Sequence, residues 1–245
     1  MALLVNPIQY VKNTLESMDP EEAAAVLDNL LRNEYKSSLF ATAKHLLGYQ
    51  DITKRTHGPI CEMLQSETKK KLLVVPRSCF KSSIASISYP IWLLLNDSNK
   101  RILIDSELYT NSSKFLREIK GHLMKDSVIS LFGIFKTQDN WNEGEITIAQ
   151  RTKIYKESSI TCSGIGAQKT SQHYDVIIAD DMNSPDNSLT EDGRQKVIDH
   201  YKLYISLLEP GGTIVIIGTR YAQGDLIGHI LENEVDKKIK EGLLK

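Results

Sequence analysis

The chain has 245 residues, a formal net charge of −1 and three cysteines, which is enough for one large α/β domain or a core with a small helical appendage. The near-neutral balance excludes a global positive field, so any nucleic-acid contact would come from a local patch. Cys61, Cys79 and Cys162 form neither a C-x-x-C pair nor a zinc spacing, the longest apolar run (residues 91–95) is far short of the ~20 residues of a membrane span, and the N-terminus lacks a secretory signal. A reduced, soluble, intracellular protein is expected.

The first third reads as helical. Asp19-Pro20-Glu21-Glu22 is a helix start: a capping Asp, Pro at the first helical position and acids facing the positive end of the dipole. Ala25, Val26, Leu30 and Leu31 then recur at near-helical spacing as one apolar stripe. A second amphipathic segment covers residues 39–47 and stops at Gly48, and a third spans 58–65. From Lys71 the pattern changes. Leu72-Leu73-Val74-Val75 is a continuous apolar run, as expected of a strand buried on both faces of a parallel sheet, and similar runs recur at 101–105, 175–179 and 213–218. Helical patterns lie between them at 82–95, 111–124 and 190–207, with Pro90 predicting a kink in the first. Two weaker strands, 145–149 and 159–162, could form a hairpin or join the sheet. This alternation predicts a doubly wound α/β fold with a mostly parallel sheet flanked by helices. An N-terminal helical segment (1–66) would precede the core (67–245), and the charged tail from Asn233 could form a further helix.

Directly after the first strand comes Pro76-Arg77-Ser78-Cys79-Phe80-Lys81-Ser82-Ser83, then a helix. Phosphate binding requires this order: loop N–H groups and a helix N-terminus face the anion, the Lys neutralises it, and the next hydroxyl reaches Mg²⁺. The usual loop is G-x-x-x-x-G-K-[ST], yet Val75 and Phe80 hold the two glycine positions here. Further on, Asp175-Val176-Ile177-Ile178-Ala179-Asp180-Asp181 is an apolar strand ending in two carboxylates, which parallel topology would place in the ligand crevice beside that loop. Asp180 would serve the Mg²⁺ and Asp181 would orient or deprotonate the attacking water. The separation of the two motifs fits P-loop enzymes with a strand inserted between them. A third strand ends in Gly218-Thr219-Arg220-Tyr221, where the polar pair Thr219 and Arg220 could sense a γ-phosphate.

Taken together, P-R-S-C-F-K-S-S, S-G-I-G-A-Q-K-T-S-Q-H-Y-D-V-I-I-A-D-D and I-G-T-R-Y-A-Q-G-D-L-I-G-H, with the lead-in L-L-G-Y-Q-D-I-T-K-R-T-H-G, resemble the large terminase subunit of tailed bacteriophages, the ATPase that drives DNA into the capsid. The resemblance reaches from about Leu39 to Ile230. It implies a P-loop ATPase core in which Pro76 to Ser83 bind ATP, Arg77 and Lys81 contact its phosphates, Ser82 and Asp180 hold Mg²⁺, Asp181 is the catalytic carboxylate and Thr219 couples hydrolysis to movement. Many relatives carry Glu where Asp181 stands. Implied partners are double-stranded DNA, the portal protein, the small terminase subunit and further copies in a ring on the procapsid, in the cytoplasm of an infected host. Lys169 and Arg151 are the basic residues near the second motif that could act on the phosphates of a neighbouring subunit. The nuclease domain common in this family is expected to be absent from this chain. A helicase-type translocase, or a nucleotide-binding assembly module without turnover, remain as alternatives. Several residues carry bland expectations: His57 near the nucleotide base or capping a helix, Lys69-Lys70-Lys71 as a solvated strand entry, and Trp92 and Trp141 at the core edge.

Overall fold

The computed structural model describes residues 16–167 and 171–235. Lys169 and the tail beyond Val235 therefore lie outside the described residues. Helix α1 (Pro20–Ser37) starts where the sequence predicts, with the Asp19 carboxylate accepting from the Glu21 N–H at 2.9 Å. Its apolar stripe does not reach the core. No residue of α1 is buried, and Val26, Leu27 and Leu30 stay exposed. The helix is held at its C-terminal end instead, where the Lys36 carbonyl accepts from Trp92 Nε1 at 2.9 Å and Arg32 Nε donates to the Leu131 carbonyl. The short α2 (Leu39–Ala41) runs on into a π turn (Thr42–Leu46), and Gly48 supplies the left-handed φ of 92° that ends it. Helix α3 (Lys54–Gln65) begins four residues before the predicted 58, because Thr53 caps it and accepts from the Thr56 N–H.

Strand β1 (Lys70–Val74) is followed by the loop at 75–80 and a helix that starts with a π turn (Ser83–Ser88) and continues as α4 (Tyr89–Asn96). The π turn is the answer to Pro90: with no N–H to give, proline is met by a widened turn rather than by a broken helix. Next come β2 (Ile102–Ser106), α5 (Tyr109–Leu123), α6 (Asp126–Phe132), β3 (Glu145–Ile146), β4 (Ile160–Gly164) and β5 (Tyr174–Asp180). The described chain closes with α7 (Pro185–Leu189), α8 (Glu191–Leu207), β6 (Leu208–Gly218), α9 (Leu226–Ile230) and a last π turn (Leu231–Val235).

The strands form one six-stranded sheet in the order β1-β6-β5-β2-β4-β3, all neighbours parallel except β3 on β4. Both weak strand signals thus join the sheet, and β3 closes one edge as an antiparallel partner. The other edge is β1, which corrects the expectation of a strand buried on both faces. Val74 is 47% exposed, and only alternate residues point inward. Lys71 is one of those, so the lysine run is not uniformly solvated. Its ammonium is buried beneath the strand and donates to the carbonyls of Leu64 and Ser66.

Apolar side chains on the two faces of the sheet make two clusters. The larger joins Leu39, Leu46, Ile60 and Leu64 to Ile84, Ile91, Ile104 and Ile178, so the helices before β1 share a core with the sheet. The smaller packs Val197, Tyr201 and Tyr204 of α8 against Leu103, Ile177 and Ile216. Each fully buried aliphatic side chain contributes roughly 1.5–3 kcal/mol, which fixes the strand ends that carry the polar loops.

Candidate functional site

The register brings three loops to one level. Val74 pairs with Gly218 and Asp180 pairs with Ile217, so the segments after β1, β5 and β6 leave the C-terminal edge of the sheet side by side. The strand lying between the two motif-bearing strands is β6 itself, so the third motif falls in the middle. Parallel strands in open α/β sheets offer their carboxyl ends to a ligand crevice in this way.

Lys81 sits at the meeting point. It is 7% exposed, and its ammonium donates to Asp181 Oδ1 at 2.7 Å and to Thr219 Oγ1 at 3.3 Å. One side chain from each motif therefore converges on the same few ångströms. A cavity of about 370 Å³ opens here, lined by Ser78, Phe80, Lys81, Ser82 and Ser83.

The segment from Pro76 to Ser83 makes a tight turn without glycine. Ser78 and Phe80 take φ of 63° and 52°, a region that non-glycine residues rarely enter. Phe80, one of the two, stands directly before Lys81. Its carbonyl accepts from the Ile84 N–H at 2.9 Å and so opens the helix that carries Lys81 and Ser82. Pro76 and Arg77 are exposed, and Cys79 is a partly buried free thiol. Arg77 turns along the rim, where its guanidinium donates to the Tyr221 hydroxyl and stands over the Tyr221 ring. Ser83 takes part through its carbonyl, which accepts from Ser88 Oγ at 2.7 Å inside the π turn.

Asp180 is fully buried, and its Oδ2 accepts from Ser86 Oγ at 2.5 Å. Its Oδ1 is buried with no hydrogen-bond partner among the described residues. Burial pushes the carboxyl up to about 6 from its ordinary value, against the opposing pull of the Ser86 and Ser82 hydroxyls. A buried carboxylate met only by hydroxyls, with no strong bond to Oδ1, carries a charge that a cation could offset. The oxygen donor set of Ser82 and Asp180, beside an open cavity, is chemistry that a hard divalent ion such as Mg²⁺ accepts. Asp181 differs from its neighbour. At φ 46° it turns out of the strand, half-exposed, with its N–H still bonded to the Ile217 carbonyl at 2.9 Å.

The residues following Asp181 are pinned from behind. Tyr204 places its hydroxyl 3.1 Å from Asp105 Oδ2 and 3.6 Å from Met182 Sδ, and Asn187 Nδ2 donates to the Met182 carbonyl at 2.9 Å. The loop after Thr219 is shaped by Asp225, which is fully buried and accepts from the N–H groups of Tyr221, Ala222 and Gly228 at 2.7, 3.1 and 2.9 Å. Gly228 is required there, because a Cβ would lie 1.9 Å from the Gln223 carbonyl oxygen.

The structure thus brings together Lys81, Ser82, Asp180, Asp181 and Thr219, with Arg77 at the rim. Arg220 is turned away and donates to the carbonyls of Ala222 and Gln223 in its own loop. Arg151 is also remote. It lies among Tyr155, Glu157 and Arg101 near the N-terminal ends of the strands, where Nη1 donates to the Glu157 carbonyl at 2.6 Å. A side chain engaged there does not reach this chain's own Lys81. Sequence reading missed Ser86, Tyr221 and Asp225. Ser86 was legible in principle, four residues after Ser82 and on the same helix face. Asp225 before Leu-Ile-Gly-His is an N-cap signal, but the Arg77–Tyr221 contact spans 144 residues and left no local trace.

No family model matches the chain. It is 26% identical over 176 residues to a protein described as "Terminase, large subunit" from Enterobacteria phage T3, an alignment that covers 70% of this chain. The chain spans 29% of that relative's length. The relationship is terminase-like and distant, and it agrees with the resemblance carried by the three motifs.

Proposed function

We propose that this chain is the ATP-hydrolysing module of a phage DNA-packaging motor, with the nucleotide phosphates bound at the loop from Pro76 to Ser83. The observation that carries the reading is the convergence of Lys81, Asp181 and Thr219, one side chain from each motif, at 2.7 and 3.3 Å. The distant similarity to a phage large terminase subunit supports the packaging context. Double-stranded DNA, a portal, a small terminase subunit and further copies of the chain are the partners this reading assigns, in the cytoplasm of an infected host. Among the described residues, no helix is long and apolar enough to cross a membrane.

In this reading the ammonium of Lys81 exchanges its bond to Asp181 for the β- and γ-phosphate oxygens, as the N–H groups at the start of the helix face the same anion. Arg77, at the rim, leaves Tyr221 to add a second positive charge. Mg²⁺, when bound, would neutralise charge on the phosphates, and Ser82 and Asp180 would hold it. Once Lys81 has been drawn off, the Asp181 carboxylate is free to orient a water for in-line attack and take its proton. Thr219 loses the Lys81 contact in the same event, so the loop to Asp225 and α9 registers that a phosphate has arrived.

Phosphate release from ATP tests this directly. Wild type should release phosphate slowly and only with Mg²⁺, and Lys81→Ala and Asp180→Ala should fall to background. Equal release from all three proteins would overturn the hydrolytic reading.

A further inference from the structure

Phe80 takes a left-handed backbone, φ 52°, at the position where a phosphate loop ordinarily carries glycine. Glycine reaches that conformation freely, whereas a residue with a Cβ must be held there by its surroundings. One such hold is visible. The ring of His57 meets the ring of Phe80 edge-on, with centroids 5.5 Å apart and planes at 88°. His57 is 6% exposed, and its Nδ1 accepts from the Thr53 N–H at 2.9 Å. That bond sets the orientation of the ring and leaves its proton on Nε2. The platform beneath is rigid as well. His57 lies in the first turn of α3, whose Ile60, Cys61 and Leu64 are buried in the same cluster against which Phe80 packs.

We propose that His57 is a positioning residue for the phosphate loop. It braces Phe80 in the left-handed conformation, and so presets the helix start that aims Lys81 and the loop N–H groups at phosphate. Packing replaces the conformational freedom that the missing glycine would have given. The proposal rests on the phosphate-loop reading above and extends it to α3, an element outside the three motifs.

A double-mutant cycle tests it with Mg²⁺ and a non-hydrolysable ATP analogue, titrated calorimetrically against wild type, His57→Ala, Phe80→Gly and the double variant. His57→Ala should weaken binding about fivefold to tenfold. Phe80→Gly should bind at least as well as wild type, and adding His57→Ala to it should change affinity less than about twofold. A glycine needs no brace, so suppression of the histidine defect is the signature that a merely structural histidine would not produce. Urea unfolding of the four proteins, without nucleotide, should show the same coupling. Equal weakening by His57→Ala in the wild-type and Phe80→Gly backgrounds, or no weakening at all, would overturn the brace. Lys81→Ala separates the two readings. If wild type and Lys81→Ala bind the analogue equally or not at all, the phosphate-loop reading fails and takes the brace's purpose with it. If Lys81→Ala loses binding while the cycle shows no coupling, the brace alone fails.

Discussion

At the N-terminal ends of the strands, Arg101 donates to Asp175 through Nε and Nη2, both at 3.1 Å, reaches Glu209 at 3.1 Å and lies 3.8 Å from Glu157, with the Tyr155 ring 4.5 Å beneath its guanidinium. At the C-terminal ends, Lys81 shares its ammonium between a half-exposed carboxylate and a threonine, while Asp180 keeps one oxygen with no partner among the described residues. In the first cluster Arg101 is matched by three carboxylates, although its neighbour Arg151 keeps Nε and Nη2 without a partner among the described residues. Burial would push the Asp175 carboxyl up, but the bonds and charge of Arg101 hold it below its ordinary value instead. In the second cluster burial prevails, and Asp180 is pushed up to about 6. Ser78, Phe80 and Asp181 take left-handed φ around the open cluster, and Ser171, before β5, does so at the other end of the sheet. Charge already matched by a neighbouring charge has little left to offer a ligand, whereas a carboxylate with spare bonding capacity beside a strained backbone is available to one.

The comparison breaks most visibly at Arg101. Arg101→Ala leaves Asp175 and Glu157 without their cation and should cost about 3 kcal/mol of stability, read by urea unfolding. Stability unchanged within experimental error would mean that the N-terminal cluster is as loosely built as the other. Next in size, Asp181→Asn should lower ATP turnover about a hundredfold while analogue binding survives. Loss of binding instead would show that Asp181 holds the loop together rather than serving the chemistry. Asp180→Asn should raise the unfolding midpoint at pH 7 by an amount equivalent to about 1 kcal/mol, since it removes a buried, incompletely paired charge. A drop in stability would assign Asp180 to the structural class with Asp175.

Smallest is a pH effect at Lys71, whose pKa is lowered to about 8, chiefly by burial and then by the charge of Lys69. The unfolded chain binds this proton up to its ordinary value of 10.5, the folded chain only to about 8, so the lysine destabilises at low pH and the penalty is relieved as pH rises between them. Replacing Lys71 by Met should remove that relief, making the Lys71→Met stability advantage largest below pH 8 and smaller once the pH passes the folded-state value of about 8. An advantage independent of pH would place the ammonium in ordinary contact with water.

Much of the fold was legible from local pattern. Apolar runs marked β2, β5 and β6, the Asp19-Pro20 start marked α1, and Gly48 marked an end, because strand burial, capping and left-handed turns depend on residues close in sequence. The individual chemical groups of the site were legible for the same reason: a lysine and serine at a helix start, carboxylates at a strand end, a threonine after another strand. What local pattern could not carry was exposure. The stripe of α1 and the run of β1 look buried by composition, yet one faces outward and the other forms the sheet edge. Burial is a property of neighbours, and those neighbours come from elsewhere in the chain.

By itself, then, the amino-acid order marked the strands and the longer helices, though not α6, α7 or α9, and showed which polar side chains stand at their ends, since backbone propensity and hydrophobic period act over a few residues. The tertiary structure alone decided that β6 lies between β1 and β5, that Lys81 meets Asp181 and Thr219, that Arg220 turns away, and that His57 comes to rest against Phe80. Lys81 and Thr219 stand 138 positions apart in the chain, and only the packing of the whole sheet brings them within reach of a hydrogen bond.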